Sequence, residues 1–489
     1  MSLLIPGTNS IKATGYDVDN SVRLNAADNP SGTITQGTPT NVDKYTFSVW
    51  VKRADVGAGN SKIFSVTSGG TYGEEKLEFN TDDIIWRQTE PSGGNTNWER
   101  VTDRKFRDES AWYHIVVAYD SSQGTAADRC KMYINGTEET SFSGSSNPSS
   151  GQDSYTNTSG RALKFFALYS NTSSQNAGAY FAEMVYIDGQ QLDQTSFGEF
   201  DSDSPNIWKP KNVSGLTFGN NGFYLEFKNS GSLGADTSGN SNNVTFSNIS
   251  ATNQSTDTCT NNGCTLNRLA SDTTPIFTNG NLTINGNGNN SSNEGCPATF
   301  VLSKGKWYWE MKNESSNHAN YIIPGFMDAA YYSNLITASG LPGNYYDANN
   351  GFTNNVQGGG DNNNYVIHRA GSSNSGLISG GLLQNQIYSF ALDLDNRKCW
   401  FRRDGVYYNS GDPAAGSNET WGTSDISAGV SYTPVVFHYY TGSQGSFNFG
   451  SPAFSISSGN SDANGYGNFE YSVPSGFYAI NSKNLAEFG

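Results

Sequence analysis

Tyr180 to Asp201 reads YFAEMVYIDGQQLDQTSFGEFD, a strand of alternating side chains that runs into an Asp-Gly turn and then an aromatic-rich loop. Four other stretches share this texture. Tyr45 to Arg53 (YTFSVWVKR) puts Tyr45, Phe47, Val49 and Val51 on one face and Thr46, Ser48 and Trp50 on the other. Trp112 to Asp120 (WYHIVVAYD) aligns Tyr113, Ile115, Val117 and Tyr119, and Lys131 to Gly136 (KMYING) ends in an Asn-Gly pair suited to a tight hairpin. Arg161 to Ser170 completes the set, and no segment sustains a helical period. The fold class expected is all-β, built from antiparallel sandwiches.

Composition agrees. Charged residues make up only 15% of the 489 residues, and polar positions are filled by Asn, Ser and Thr. The 27 Tyr, 27 Phe and 9 Trp, in short bursts between Gly-rich turns, supply enough apolar surface for well-packed cores. A net charge of −16, with Lys and Arg scattered, excludes nucleic acid as an expected partner, and no run approaches the length of a membrane span. The N-terminal MSLLIPGTNS is too short to form the core of a signal peptide, so synthesis in the cytoplasm without an export signal is expected.

Three regions are expected: a sandwich over residues 1–228, a Gly/Asn/Ser-rich connector over 229–293, and a second sandwich over 294–489. The wider tract from Asp201 to Asn313 is expected to be ordered, because Phe223, Tyr224, Leu225 and Phe227 would be costly to leave in water, with mobility expected over Asn229 to Asn293, where apolar residues are thin. In the second sandwich Trp307, Trp309 and Met311 share one face of GKWYWEM, and IYSFALDL and KCWFR are joined by an Asp-Asn turn. Among five cysteines, Cys130 and Cys399 fall inside strands as core thiols, while Cys259 and Cys264 flank a short turn and are a disulfide candidate.

In the order GYDVDNSVRLN (Gly15 to Asn25), YTFSVWVKR, RDESAWYHIVVAYD, KMYING, AEMVYIDGQQLD, FGEFD, NNGFYLEF and LGADTSGNSNN, the first block resembles the laminin-G-like branch of the concanavalin A-like lectin/glucanase superfamily, in the version found in tailed-phage virion proteins. The second block is similar to SPRY domains, through GKWYWEM, YIIPGFMD, YSFALDLDNRKCWFRRDG and FNFGSPAF. The resemblance implies a lectin-like jelly roll followed by a SPRY-like sandwich in a phage virion surface protein. The function it implies is a tail-fibre-like or spike-like adhesin that engages host-surface carbohydrate. A capsid- or tail-decorating protein that binds other virion proteins is the alternative, and a polysaccharide depolymerase ranks third. A homo-oligomer on the virion is expected.

Glycan-cleaving members carry E-x-D-x-x-E on a strand, which sets two carboxylates on one face. Here the nearest match, Glu199-Phe200-Asp201-Ser202-Asp203, lacks the closing Glu, so no catalytic residue is expected. Laminin-G-like relatives often hold calcium, and Asp17, Asp19 and Asp120 are the ligand candidates that the resemblance implies. For sugar stacking the loop aromatics are the candidates: Tyr72, Trp86 and Trp98 in the first sandwich, and Tyr331, Tyr345 and Tyr346 in the second.

Overall fold

The computed structural model describes residues 15–69, 73–170, 175–271, 275–286, 294–316, 322–331, 356–358, 364–369, 372–379, 382–438 and 441–489. The protein is nearly all-β, 41% strand against 7% helix, and its contacts divide it into an N-terminal unit, Ala13–Thr260, and a C-terminal unit over Asn261–Gly489.

Two antiparallel sheets form the N-terminal unit. The first runs in the order Thr137–Glu138, Cys130–Ile134, Trp112–Asp120, Lys44–Arg53, Ala179–Asp188, Ser21–Arg23 and Gln254–Ser255, with Phe223–Leu225 also paired to Ala179–Asp188. The second runs in the order Phe142–Ser146, Thr96–Thr102, Asp83–Thr89, Gly73–Asn80, Ser61–Gly69, Ala162–Phe165, Ser31–Thr35 and Thr245–Ser247. Consecutive hairpins build one end of each sheet, while pairs such as Lys44–Arg53 with Ala179–Asp188 and Ser31–Thr35 with Ala162–Phe165 join strands distant in sequence, as in a jelly roll. The alternation legible in the sequence is the packing pattern: Tyr45, Phe47, Val49 and Val51 enter the core between the sheets with Ile115, Val117 and Tyr119. Trp50, one residue out of phase, faces away from it.

The polar tract at 229–293 is not a connector. Thr245–Ser247 pairs with Ser31–Thr35, and Gln254–Ser255 pairs with Ser21–Arg23, so its first half belongs to the N-terminal sandwich. Ile276–Thr278 and Thr283–Asn285 extend a sheet of the C-terminal unit beyond Gln444–Asn448. The reason is local. Leu233, Val244, Leu282 and Ile284 bury their side chains, while the abundant Asn and Asp satisfy backbone groups that loops would otherwise leave unbonded. Asp236 shows how: its carboxylate accepts from the backbone N–H of Tyr224 (2.9 Å), Ser238 (2.8 Å) and Asn242 (2.8 Å), which folds LGADTSGNSNN back onto the sheet.

In the C-terminal unit one sheet has the order Ile276–Thr278, Thr283–Asn285, Gln444–Asn448, Lys306–Asn313, Ile387–Asp393, Lys398–Arg403 and Val406–Tyr407, with Tyr478–Ala479 parallel to Lys306–Asn313. A second sheet comprises Glu294–Pro297, Tyr432–His438 and Ile322–Asp328. Trp307, Trp309 and Met311 lie in the core, and Tyr308 and Glu310 point to the opposite face. There Glu310 accepts from Tyr308 Oη (2.7 Å) and from the backbone N–H of Glu470 and Tyr471 (3.0 Å each). The Arg402 guanidinium lies 5.3, 4.9 and 5.0 Å from the ring centroids of Tyr308, Tyr407 and Tyr471, and donates to the Tyr308 hydroxyl. These contacts hold the C-terminal segment against the sheet.

None of the five cysteines forms a disulfide. Cys259 packs in the N-terminal unit and Cys264 in the core of the C-terminal unit, because the chain passes from one core to the other between them. Cys130 and Cys399 are buried thiols. Adding reductant is therefore expected to leave the thermal midpoint unchanged, with five thiols titrating in denaturant; a reductant-dependent drop in the midpoint would contradict this assignment.

Candidate functional site

The outer face of the first N-terminal sheet is covered by residues 15–20, by the hairpin Gly198–Phe200/Trp208–Pro210 and by residues 256–260, and polar chemistry concentrates beneath this cover. It begins with a β-bulge. Ala182 pairs with Trp50 and Val185 with Ser48, so Ala179–Asp188 carries one extra residue against its partner. The inserted residue is Glu183, at φ 49°, a left-handed conformation that β-bulges impose and that a Glu rarely adopts. The bulge swings its carboxyl out of the inward phase that simple alternation would give it.

The Glu183 carboxyl is 6% exposed. Its Oε2 lies 3.0 Å from Tyr16 Oη and 2.5 Å from Tyr224 Oη, and the two hydroxyls are 2.6 Å apart. Three mutual hydrogen bonds among three oxygens require three protons. The two tyrosines supply two, so a protonated Glu183 completes the ring. Burial pushes this carboxyl up to about 7, more than the tyrosine hydrogen bonds pull it down. Burial and the nearby carboxyl in turn raise both tyrosines.

Beside it stands an indole–imidazole–indole stack. The His114 ring lies 4.7 Å from Trp50 at 22° and 6.0 Å from Trp208 at 24°. Trp208 Nε1–H donates to His114 Nδ1 (2.9 Å), which leaves Nε2 to carry the proton and donate to Ser48 Oγ (2.8 Å). Burial lowers His114 to about 3, so the ring stays neutral and serves as structure. A buried ion pair completes the face: Lys52 Nζ meets Asp257 Oδ2 at 2.8 Å, and Trp112 Nε1–H donates to Asp257 Oδ1 at 3.1 Å.

The hairpin carries this packing to the surface. Trp208 is held between the Asn135-Gly136 turn and Gly198, and a Cβ on either glycine would come within 2.2 or 2.4 Å of the indole. On its edge rests Phe200, with ring centroids 4.9 Å apart at 70°.

Two of the six residues expected to touch sugar lie in the core. Trp86 and Trp98 are fully buried, 4.8 Å apart edge-to-face, and Trp86 Nε1–H donates to Tyr45 Oη (3.0 Å). Each sits on the inward phase of its strand, and so neither can meet a ligand. Tyr72, Tyr345 and Tyr346 lie outside the described residues, as does the side chain of Tyr331.

The calcium candidates do not converge. Asp120 spends its carboxylate on Lys44 Nζ (3.0 Å), on the backbone and hydroxyl of Ser122 (2.9 and 2.6 Å) and on Gln123 Nε2 (3.1 Å). An ammonium in contact with it disfavours a second cation there. Asp17 and Asp19 flank Val18, which packs against Trp50 and Trp112; His114, the cross-strand partner of Trp50, lies six residues before Asp120 in the same strand, about 20 Å away along it. Among the described residues no three Asp, Glu, His or Cys side chains converge as metal ligands.

Residues 25–168 match a family model described as concanavalin A-like lectin/glucanases superfamily, of the laminin G type. This match falls within the two-sheet sandwich of the N-terminal unit. Similar solved structures include domains LG4-5 of the mouse laminin alpha1 chain, at 9% identity over 90% of each chain with a TM-score of 0.30. The SPRY domain of human HERC1 is 13% identical, covering 37% of this chain and 96% of its own, with a TM-score of 0.24. A heptameric SAP-like pentraxin from Limulus polyphemus is 15% identical over 36% of this chain and 80% of its own, with a TM-score of 0.28. No curated protein matches the chain. Among the described residues no helix is long and apolar enough to cross a membrane.

Proposed function

We propose that this chain is a non-catalytic carbohydrate-recognition protein of a phage particle, a tail-fibre-like or spike-like adhesin that engages host-surface glycan. The observation that carries this reading is the lectin-family match over residues 25–168, which covers most strands of a two-sheet sandwich. The virion setting rests on the ordered string of phage-like motifs from Gly15 to Asn243.

Holding rather than cutting fits the carboxylates. Glycoside hydrolysis needs two carboxyl groups facing each other across room for a sugar. Glu183 is enclosed by two tyrosines, Glu310 by Tyr308 and two backbone N–H groups, and Glu75 by Tyr45, Gln88, Ser154 and Tyr155. Individual sites of modest affinity gain from many copies on one particle, which fits a homo-oligomer anchored to other virion proteins.

Purified full-length protein is expected to bind host cells, to compete with phage adsorption and to release no reducing ends from host polysaccharide. Release of reducing ends would establish a depolymerase instead. Binding to virion proteins with no effect on adsorption would establish a decorating structural protein.

A further inference from the structure

Among the described residues no other aromatic side chain is as exposed as Phe200; in a chain with 27 Phe, 27 Tyr and 9 Trp, it stands 45% in solvent. It is also rigidly mounted. Trp208 beneath it is fixed by its hydrogen bond to His114 and by the close approach of Gly136 and Gly198. Lys209 crosses the hairpin to Asp201 (3.2 Å) and Glu199 (3.5 Å).

The loop after Phe200 is shaped as firmly. Asp201 Oδ1 accepts from the backbone N–H of Asp203 (3.0 Å) and Ser204 (2.9 Å), and backbone bonds Asp201 N–H to Ile207 O and Ile207 N–H to Ser204 O, both 2.8 Å, close the turn. Closed in this way, the turn leaves every residue from Ser202 to Asn206 exposed: two hydroxyls, a carboxylate, a proline and an amide beside one ring.

We propose that Phe200 is the stacking platform of a sugar subsite, with Ser202, Asp203, Ser204 and Asn206 as its hydrogen-bonding rim, and that its ligand is a neutral or amino-bearing pyranose. This rests on the carbohydrate-recognition reading above and adds the place and the class of sugar. The negative face of an aromatic ring attracts the polarised C–H groups on the apolar face of a pyranose, and a few placed polar groups then set orientation. A platform already fixed in its bound position loses little conformational freedom on binding. Charge selects the class: Glu199 and Asp201 share Lys209 as ion-pair partner, Asp203 stands exposed on the same loop, and the chain as a whole carries −16, so sulfated, phosphorylated and carboxylated sugars are repelled.

The test compares full-length wild type with Phe200→Ala, Phe200→Tyr and Asp203→Asn on an array that carries neutral, amino and anionic glycans. Wild type is expected to bind neutral or amino sugars. Phe200→Ala should weaken binding about tenfold or more while leaving the thermal midpoint in place, since the ring is half in solvent, and Phe200→Tyr should bind nearly as wild type. Asp203→Asn should shift tolerance toward anionic glycans. If wild type binds glycan and Phe200→Ala binds equally well, the subsite is wrong while the carbohydrate reading stands. Preference for sulfated or sialylated glycans would also overturn it. If wild type binds no glycan, both fall.

Discussion

Glu183→Gln is expected to be more stable than the wild-type chain above pH 7 and equal to it near pH 4. The sign follows from the proton. In the unfolded chain this carboxyl titrates near 4.5, and in the folded protein near 7. Between those values the folded state holds a proton that the unfolded chain has released. Its contribution is therefore fully present below pH 4.5, declines as pH rises, and is lost above 7. The size of the effect is about 3 kcal/mol for a shift of this extent. A glutamine can place its amide N–H2 where Oε2 stands, donating toward Tyr16 and Tyr224, and it has no acid proton to lose, so the difference between the two proteins isolates this group from every other carboxylate that titrates. Urea unfolding at a series of pH values from 4 to 8.5 measures it. Parallel curves for the two proteins would show that the Tyr16–Glu183–Tyr224 ring does not hold its proton.

The second large effect concerns the ion pair under the same cover. Lys52 and Asp257 side chains are 1% and 2% exposed, and Asp257 also receives the Trp112 indole N–H. Removing one partner of a buried pair strands the charge of the other, at a cost of about 3–5 kcal/mol. Asp257→Ala should lower the stability of the N-terminal unit by that amount. The double substitution Lys52→Met with Asp257→Leu should recover most of the loss, because apolar residues of similar volume replace a buried pair at little net cost. The urea midpoint of each variant decides the matter. A double variant no better than Asp257→Ala would mean that packing around Asp257, not its charge, holds the segment 256–260 in place.

Strand alternation was legible wherever one face is apolar. Tyr45 to Arg53 and Trp112 to Asp120 pack in the phase read from their sequences, because a period of two places every second side chain in the core. The same signal failed at Ala179–Asp188, where one inserted residue reverses the phase and brings Glu183 out of the core face. Glu183 inside the otherwise apolar run Tyr180 to Ile187 was the available hint. Trp86 and Trp98 were misplaced because their strands carry charged residues on the outer face, which makes the segments look like loops. The polar tract at 229–293 misled for a related reason. Asn, Ser and Gly there are not solvent-facing filler: Asp236, Asn240 and Asn242 bond backbone groups and let short strands join two sheets.

The all-β class and the core-facing residues of the principal strands were legible from the residues alone, since these follow from short-range periodicity and turn chemistry. The remainder depends on which strands become neighbours. Tyr16, Glu183 and Tyr224 are separated by up to 208 residues, yet they share one ring of hydrogen bonds, and Lys52 and Asp257 are 205 apart. Phe200 reads as one phenylalanine among 27, and its exposure depends on Trp208, His114 and two glycines arriving from three different parts of the chain. Burial and juxtaposition are properties of sheet order, and in a jelly roll sheet order joins strands that the sequence keeps far apart.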